Sequence, residues 1–136
     1  MSYQLAPALQ TAIYQALAAD AALQAALQGA IFDAIPPATP PATYALLGRE
    51  EVRDMSDKTG HGAEHRLTIS VISNATGFLS LKQIAARICD VLDAGGLALS
   101  RGRLVAIWFE RADARKVENA QTRRIDLSFR ARVEDD

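Results

Sequence analysis

Residues Thr122–Val133 read TRRIDLSFRARV. Ile125, Leu127, Phe129, Ala131 and Val133 take every second position, and Arg124, Asp126, Ser128, Arg130 and Arg132 stand between them. Successive side chains of a strand point to opposite faces, so the stretch predicts a strand with one apolar and one charged face. A sheet wet on one side is characteristically antiparallel. The apolar face needs a cover, and the rest of the chain must supply it.

Upstream, Asp113–Gln121 is polar and reads as a connection. Before it, Arg103–Glu110 alternates, with Val105, Ile107 and Phe109 on one side and Leu104, Ala106 and Trp108 on the other. Both sides are apolar, which places this strand centrally or under a subunit contact. Leu81–Asp93 carries Leu81, Ile84, Ala85, Ile88 and Leu92 at helical spacing, with Ser80 as the expected N-cap and Gly95-Gly96 as the stop. His65–Ser73 alternates again and pairs with Thr43–Arg49 as a hairpin. Residues 50–64 between them have no apolar period and are expected to form a long loop. Four prolines between Pro36 and Pro41 make a stiff connector after a short strand at Ile31–Ile35.

The first helix is expected over residues 3–18, beginning near residue 6 because Pro7 belongs in a first turn. Leu5, Leu9, Ile13 and Leu17 form its stripe. Asp20 caps a second, shorter helix, Ala21 to Gln28, and Gly29 ends it. The order predicts an α+β fold: a two-layer sandwich, a mainly antiparallel β-sheet with two main helices packed on one face. One domain, 1–136, is expected, with a short acidic tail at 134–136.

The net charge of −1 conceals an asymmetry. Residues 1–48 contain no Lys or Arg, whereas residues 101–133 hold nine Lys/Arg against four Asp/Glu. A basic strand face suits an acidic partner or nucleic acid, and it equally suits plain solvation. Without interleaved aromatics on that face, base-specific readout is not expected. The single Cys89 excludes an internal disulfide and, on an apolar helical stripe, reads as a packed thiol. No basic-then-apolar leader and no run of the ~18 apolar residues needed for a membrane span occurs. His61 and His65, with Asp57 and Glu64, are the one metal-like cluster, but Gly60 and Gly62 argue against the helix that would present the pair together. No catalytic motif is present, and no cofactor is expected. Trp108 suits either a core or an interface hot spot.

Taken in order, the whole chain resembles the tail completion (tail terminator, or tail-to-head joining) proteins of long-tailed phages and phage-derived gene transfer agents. The resemblance rests on Leu9, Ile13, Leu17, Asp20, Leu23 and Leu27, then Ile31–Pro36, Tyr44–Gly48 and the loop before His65. Ile84, Ile88, Leu92, Leu97 and Leu99 continue it, and Arg124–Ala131 closes it. It implies a structural, non-enzymatic protein of the tail neck, assembled in the bacterial cytoplasm. The implied form is a homo-oligomeric ring, a hexamer, that caps the head-proximal end of the tail tube and stops its polymerisation. The tube protein and a head-side connector or stopper are the implied partners, and double-stranded DNA passes through without sequence preference. The long loop, with Arg53, Asp54, Met55, Lys58 and His61, is then expected at a ring or partner interface. Arg124, Arg130, Arg132 and Trp108 are expected at a subunit seam or channel face. A head-side neck adaptor, or a small ligand- or metal-binding α+β domain, are the alternative readings.

Overall fold

The computed structural model of the chain describes residues 3–34, 39–58, 60–117 and 121–135. Ile35 and Pro36, Pro37 and Ala38 of the proline connector lie outside them, as do Thr59, residues 118–120 and Asp136. The elements are α1 (Ala6–Ala19), α2 (Ala21–Leu27), β1 (Ile31–Phe32), β2 (Thr43–Asp54), β3 (His61–Ser73), α3 (Leu79–Asp93), β4 (Arg103–Lys116) and β5 (Arg123–Asp135). They form the expected α+β sandwich. The five strands make one sheet in the order β1-β2-β3-β5-β4, and every pairing except the two-residue β1–β2 contact is antiparallel.

β5 sits between β3 and β4, and its alternation is realised without a break. Ile125, Leu127, Phe129, Ala131 and Val133 are all buried, while the residues between them are half-buried. Across the ladder each meets an apolar or core-facing residue of β3: Val71, Ile69, Leu67, His65 and Ala63 in turn. The cover is the helical layer. Leu5, Leu9, Ile13 and Leu17 of the α1 region, Leu23 and Leu27 of α2, and Leu81, Ile88 and Leu92 of α3 join the same cluster as the sheet. Each fully buried Leu or Ile contributes roughly 1.5–3 kcal/mol relative to exposure, so this layer is the main source of stability.

Local signals set the helix ends. Pro7 lies in the first turn of α1, where no amide donor is needed. The Asp20 carboxylate accepts from the Leu23 amide at 3.1 Å and caps α2. That helix ends on Gln28 at φ 52° and Gly29 at φ 82°, a left-handed exit. α3 differs from expectation. It starts at Leu79, Phe78 is its N-cap without a side-chain bond, and Ser80 lies inside the helix. Half-buried Phe78 packs on the core beneath the Arg123 guanidinium, 5.4 Å from its ring centre. Packing rather than capping fixes this start.

Two further expectations are corrected. The 50–64 segment is not a long loop, because β2 runs to Asp54 and β3 begins at His61, leaving 55–60 as the hairpin tip. β4 is not central but an edge, and it continues through Asp113 to Lys116 instead of breaking into a connection. Register shifts between Leu104 and Ala106 and between Phe109 and Arg111 also regroup its side chains. Leu104, Ile107 and Phe109 thereby share the helix-covered face, opposite Val133, Ala131 and Phe129.

Candidate functional site

The helices cover one face of the sheet. The other face is bare, and the arginines singled out from sequence project onto it. Arg124, Arg130 and Arg132 alternate with the buried residues of β5, as the period of two demands. Arg124 and Arg130 do not stand free. Arg124 Nε donates to Asp126 Oδ1 at 2.9 Å, and its Nη2 donates to Ser70 Oγ at 3.1 Å. Ser70 Oγ in turn donates to Asp126 at 2.5 Å, and Arg115 reaches both Asp126 (2.7 Å) and Asp113 (2.6 Å). Burial pushes the Asp126 carboxyl up, but bonds from Ser70, Arg124 and Arg115 outweigh it and hold the group below its ordinary value.

Arg130 lies over the Trp108 ring at 5.3 Å, with Glu64 at 4.0 Å. Glu64 also pairs with Arg66 at 3.4 Å, and Arg66 reaches Glu110 at 3.9 Å. Trp108 is 44% exposed, which removes it from the core and leaves it on the bare face. Arg132 makes no ion pair with any described residue, nor do Arg111 and Arg49. The last two line a cleft of about 410 Å³ on this face, together with Arg124, Thr68 and Ser128. The period of β5 pointed to Arg124, Arg130 and Arg132. Arg49 ends the Thr43–Arg49 strand read from sequence and Arg111 follows the Arg103–Glu110 strand, so neither showed a face by alternation, and only the strand pairing reveals that they share this one.

The hairpin tip gathers the other candidate residues, though not on one loop. Arg53 and Asp54 end β2, His61 opens β3, and Met55 and Lys58 lie between. The tip is tightly bonded. The Gly60 amide donates to Asp57 Oδ1 at 2.7 Å, the Asp57 amide to the Gly60 carbonyl at 3.1 Å, and the Met55 amide to the Gly62 carbonyl at 2.8 Å. Asp54 accepts from the hydroxyl and amide of Ser56, and these bonds lower its carboxyl pKa. Met55, 39% exposed, and exposed Lys58 and His61 present a mixed surface.

His61 and His65 are not partners. They are four positions apart along β3, about 13 Å at the rise of an extended chain, and His65 is fully buried. Its Nδ1–H donates to Glu50 Oε2 at 3.0 Å, a tautomer assigned from that carboxylate. Tyr3 donates its hydroxyl to Glu50 Oε1 at 2.5 Å and stacks on the imidazole with ring centres 6.5 Å apart. Burial raises the Glu50 pKa, but the bonds from His65 and Tyr3 overcome it and the net shift is downward. The triad runs from buried His65 through half-buried Glu50 to exposed Tyr3 at one end of the sheet. Among the described residues no group of three His, Cys, Asp or Glu could hold a metal ion. Cys89 lines an open groove of about 270 Å³ with Ile107, Phe109 and Phe129, and burial followed by the charges of Asp90 and Asp93 pushes its thiol up, away from reactivity. No helix among the described residues is long and apolar enough to cross a membrane.

A two-layer α+β protein with an open strand edge, a bare charged sheet face and a protruding hairpin has its surfaces disposed for contact with other proteins. The sequence matches the family model described as "Tail completion protein gp17" over residues 11–134, and the chain belongs to that family. It is therefore a structural protein of a phage-type tail. Among solved structures it is similar to a chain of the "Virion of native gene transfer agent (GTA) particle". That similarity is 56% identity over 98% of this chain and 99% of the other, with a TM-score of 0.91. No curated protein sequence matches the chain.

Proposed function

We propose that the protein forms a ring, hexameric in its assembled state, at the head-proximal end of the tail tube of a phage or gene-transfer-agent particle. The ring ends tube polymerisation and receives the head-side connector, and double-stranded DNA passes through its channel. The whole chain acts as one domain in this role, which needs no catalytic group and no cofactor. The observation that carries the reading is the bare sheet face. In a tail completion protein, a face with Arg111 and Arg132 unpaired among the described residues beside the tethered Arg124 and Arg130 suits a lumen that meets phosphates without reading bases. Trp108 lies toward the seam of that face. The 55–60 tip, with Met55, Lys58 and the flanking Arg53, Asp54 and His61, reaches the neighbouring ring.

Native mass spectrometry of the purified protein, and of the protein bound to isolated tail tubes, tests the ring directly. A single closed oligomer is expected, and a protein that stays monomeric in both settings contradicts the proposal. Particles lacking the protein are expected to carry tubes of uncontrolled length without heads. Tubes of normal length that lack only the head would move the protein to the head side of the neck, as an adaptor or stopper.

A further inference from the structure

β4 closes one side of the sheet, and no described strand lies beyond it. Its outer edge therefore presents backbone donors and acceptors along 14 residues. Soluble proteins blunt such edges with short strands, proline or a covering loop. β4 contains no proline; two bulges and the charged run from Glu110 to Lys116 blunt part of it, but Leu104 to Phe109 carries no charge. Its apolar content is also wrong for a solvated edge. Val105, Trp108 and Phe109 are 45%, 44% and 51% exposed, three of the seven large hydrophobic residues left open among the described residues. The groove beside Ile107 and Phe109 opens on this same side of the molecule. This surface is built to be covered.

The opposite side of the sheet offers a matching edge. β1 pairs with β2 only at Ala45 and Leu46, so the β2 edge from Leu47 to Asp54 has no strand beside it among the described residues. Direction fits as well. β2 is antiparallel to β3, β3 to β5 and β5 to β4, so β2 and β4 run in opposite directions. A second copy placed alongside in the same orientation brings its β2 antiparallel to this β4, the more stable ladder. Two unlike edges on opposite sides of one sheet make a head-to-tail contact, and only such a contact propagates around a ring. Net charge is opposite: β4 holds four Lys/Arg against two Asp/Glu, and residues 47–54 hold three Asp/Glu against two Arg. The flank beside β2 carries little charge, since α1 has none and a groove of about 420 Å³ there is lined by Tyr14, Phe32 and Leu47.

We propose that β4 of one subunit pairs with the Leu47–Asp54 segment of β2 in the next, so that the assembly is built by continuing the sheet from copy to copy. This rests on the ring reading and supplies its seam. The ladders put Ala106 level with Arg132, Glu64 and Arg53 in turn, and Trp108 level with Arg130, Arg66 and Glu51. In an unsheared pairing Ala106 therefore meets the next copy's Arg53, and a two-residue shear brings it to Glu51. Both partners lie on the bare face, as a disulfide requires.

The test uses the full chain with Cys89→Ser, bound to isolated tail tubes. Ala106→Cys is combined with Arg53→Cys in one variant and with Glu51→Cys in another. After oxidation, gels without reductant are expected to show, for one of the two, a ladder ending at the ring size found by native mass spectrometry. Either cysteine alone yields no ladder. A second variant, Val105→Lys at an exposed edge position, is expected to keep its circular dichroism and lose ring formation at least tenfold at fixed concentration. Intact rings that give no ladder with either pair and ignore Val105→Lys overturn the strand seam and leave the ring standing. Cross-linking of Ala106→Cys only to the tube protein reassigns the edge to the tube. Monomers in every setting remove both proposals together.

Discussion

Phe129→Ala tests the layer order at its centre. Phe129 is 2% exposed, faces Leu67 across β3 and Phe109 across β4, and meets the Phe109 ring edge-to-face at 6.0 Å. Truncating a buried Phe costs roughly 3–5 kcal/mol through lost transfer energy and the cavity left behind. Here the low end is expected. Phe109 is half-exposed beside an open groove and is free to swing into the vacated space, which shrinks the cavity term. For 136 residues an unfolding entropy of ~2.1 cal/mol/K each gives about 0.29 kcal/mol/K, so ~3 kcal/mol lowers Tm by about 10 °C. Urea unfolding followed by circular dichroism and Trp108 fluorescence, at one fixed protein concentration, measures the loss. Ser128→Ala, one residue back and on the bare face, is expected to stay within about 0.5 kcal/mol. A Phe129→Ala cost below about 1 kcal/mol, or a Ser128→Ala cost equal to it, refutes the assignment of the two faces.

Other expectations follow from single contacts. Glu50→Gln removes a charge-assisted acceptor from His65 and Tyr3 and is expected to lower stability at neutral pH by about 1–3 kcal/mol. Because the folded-state pKa of Glu50 is depressed, the wild-type advantage is complete above the ordinary glutamate value and fades as pH falls through the lowered one. Unfolding curves of both proteins from pH 7 down to acid should therefore converge, and a constant gap would contradict the linkage. Gly102→Ala places a Cβ 2.6 Å from the Glu134 carbonyl and 2.8 Å from Leu5, at a φ of +67°, so it should cost more than about 1 kcal/mol. Gly77→Ala meets nothing within 4 Å and serves as the neutral or slightly stabilising control in the same melts. Arg111→Glu with Arg132→Glu is expected to leave thermal unfolding unchanged while particles transfer less DNA. Normal transfer would take these side chains off the channel. Replacing residues 55–60 by a two-residue turn is expected to keep the sheet and block joining of tails to heads, read by electron microscopy.

What the sequence made legible depended on whether the core-facing positions were apolar. The β5 stretch, α1 and α3 satisfy that condition, so their faces could be read directly, and Arg124, Arg130 and Arg132 fell on the bare side with them. The outer halves of β2 and β3 do not satisfy it. There the inward positions include Glu50 and His65, bonded to each other through Nδ1 at 3.0 Å, and a polar pair breaks the apolar period without breaking the strand. The second half of β4 fails for another reason. From Arg111 to Lys116 its side chains are exposed, and the ladder to β5 and the Arg115–Asp126 ion pair, not an apolar face, hold it extended. Its first half is apolar on both faces, which signals burial but not by what. Within one chain that pattern meant a central strand, whereas the observed edge position leaves the covering surface to be supplied from outside. Arg49 and Arg111 became visible as neighbours only once those two strands were in place.

The position of β5 also governs when the sheet can exist. β3 and β4 are parallel, joined through α3, and held apart by the width of one strand, which β5 alone fills. Until residues 123–135 arrive, α3 spans two strands with an empty slot between them, and the inner edges of β3 and β4 both stay unpaired. The native sheet joins β3 to β5 across at least fifty residues of sequence, whereas β4 and β5 are neighbours in the chain. Such non-local closure is slow, on the order of milliseconds to seconds. Until that closure, the unpaired inner edge of β3 is a template for a strand of another chain.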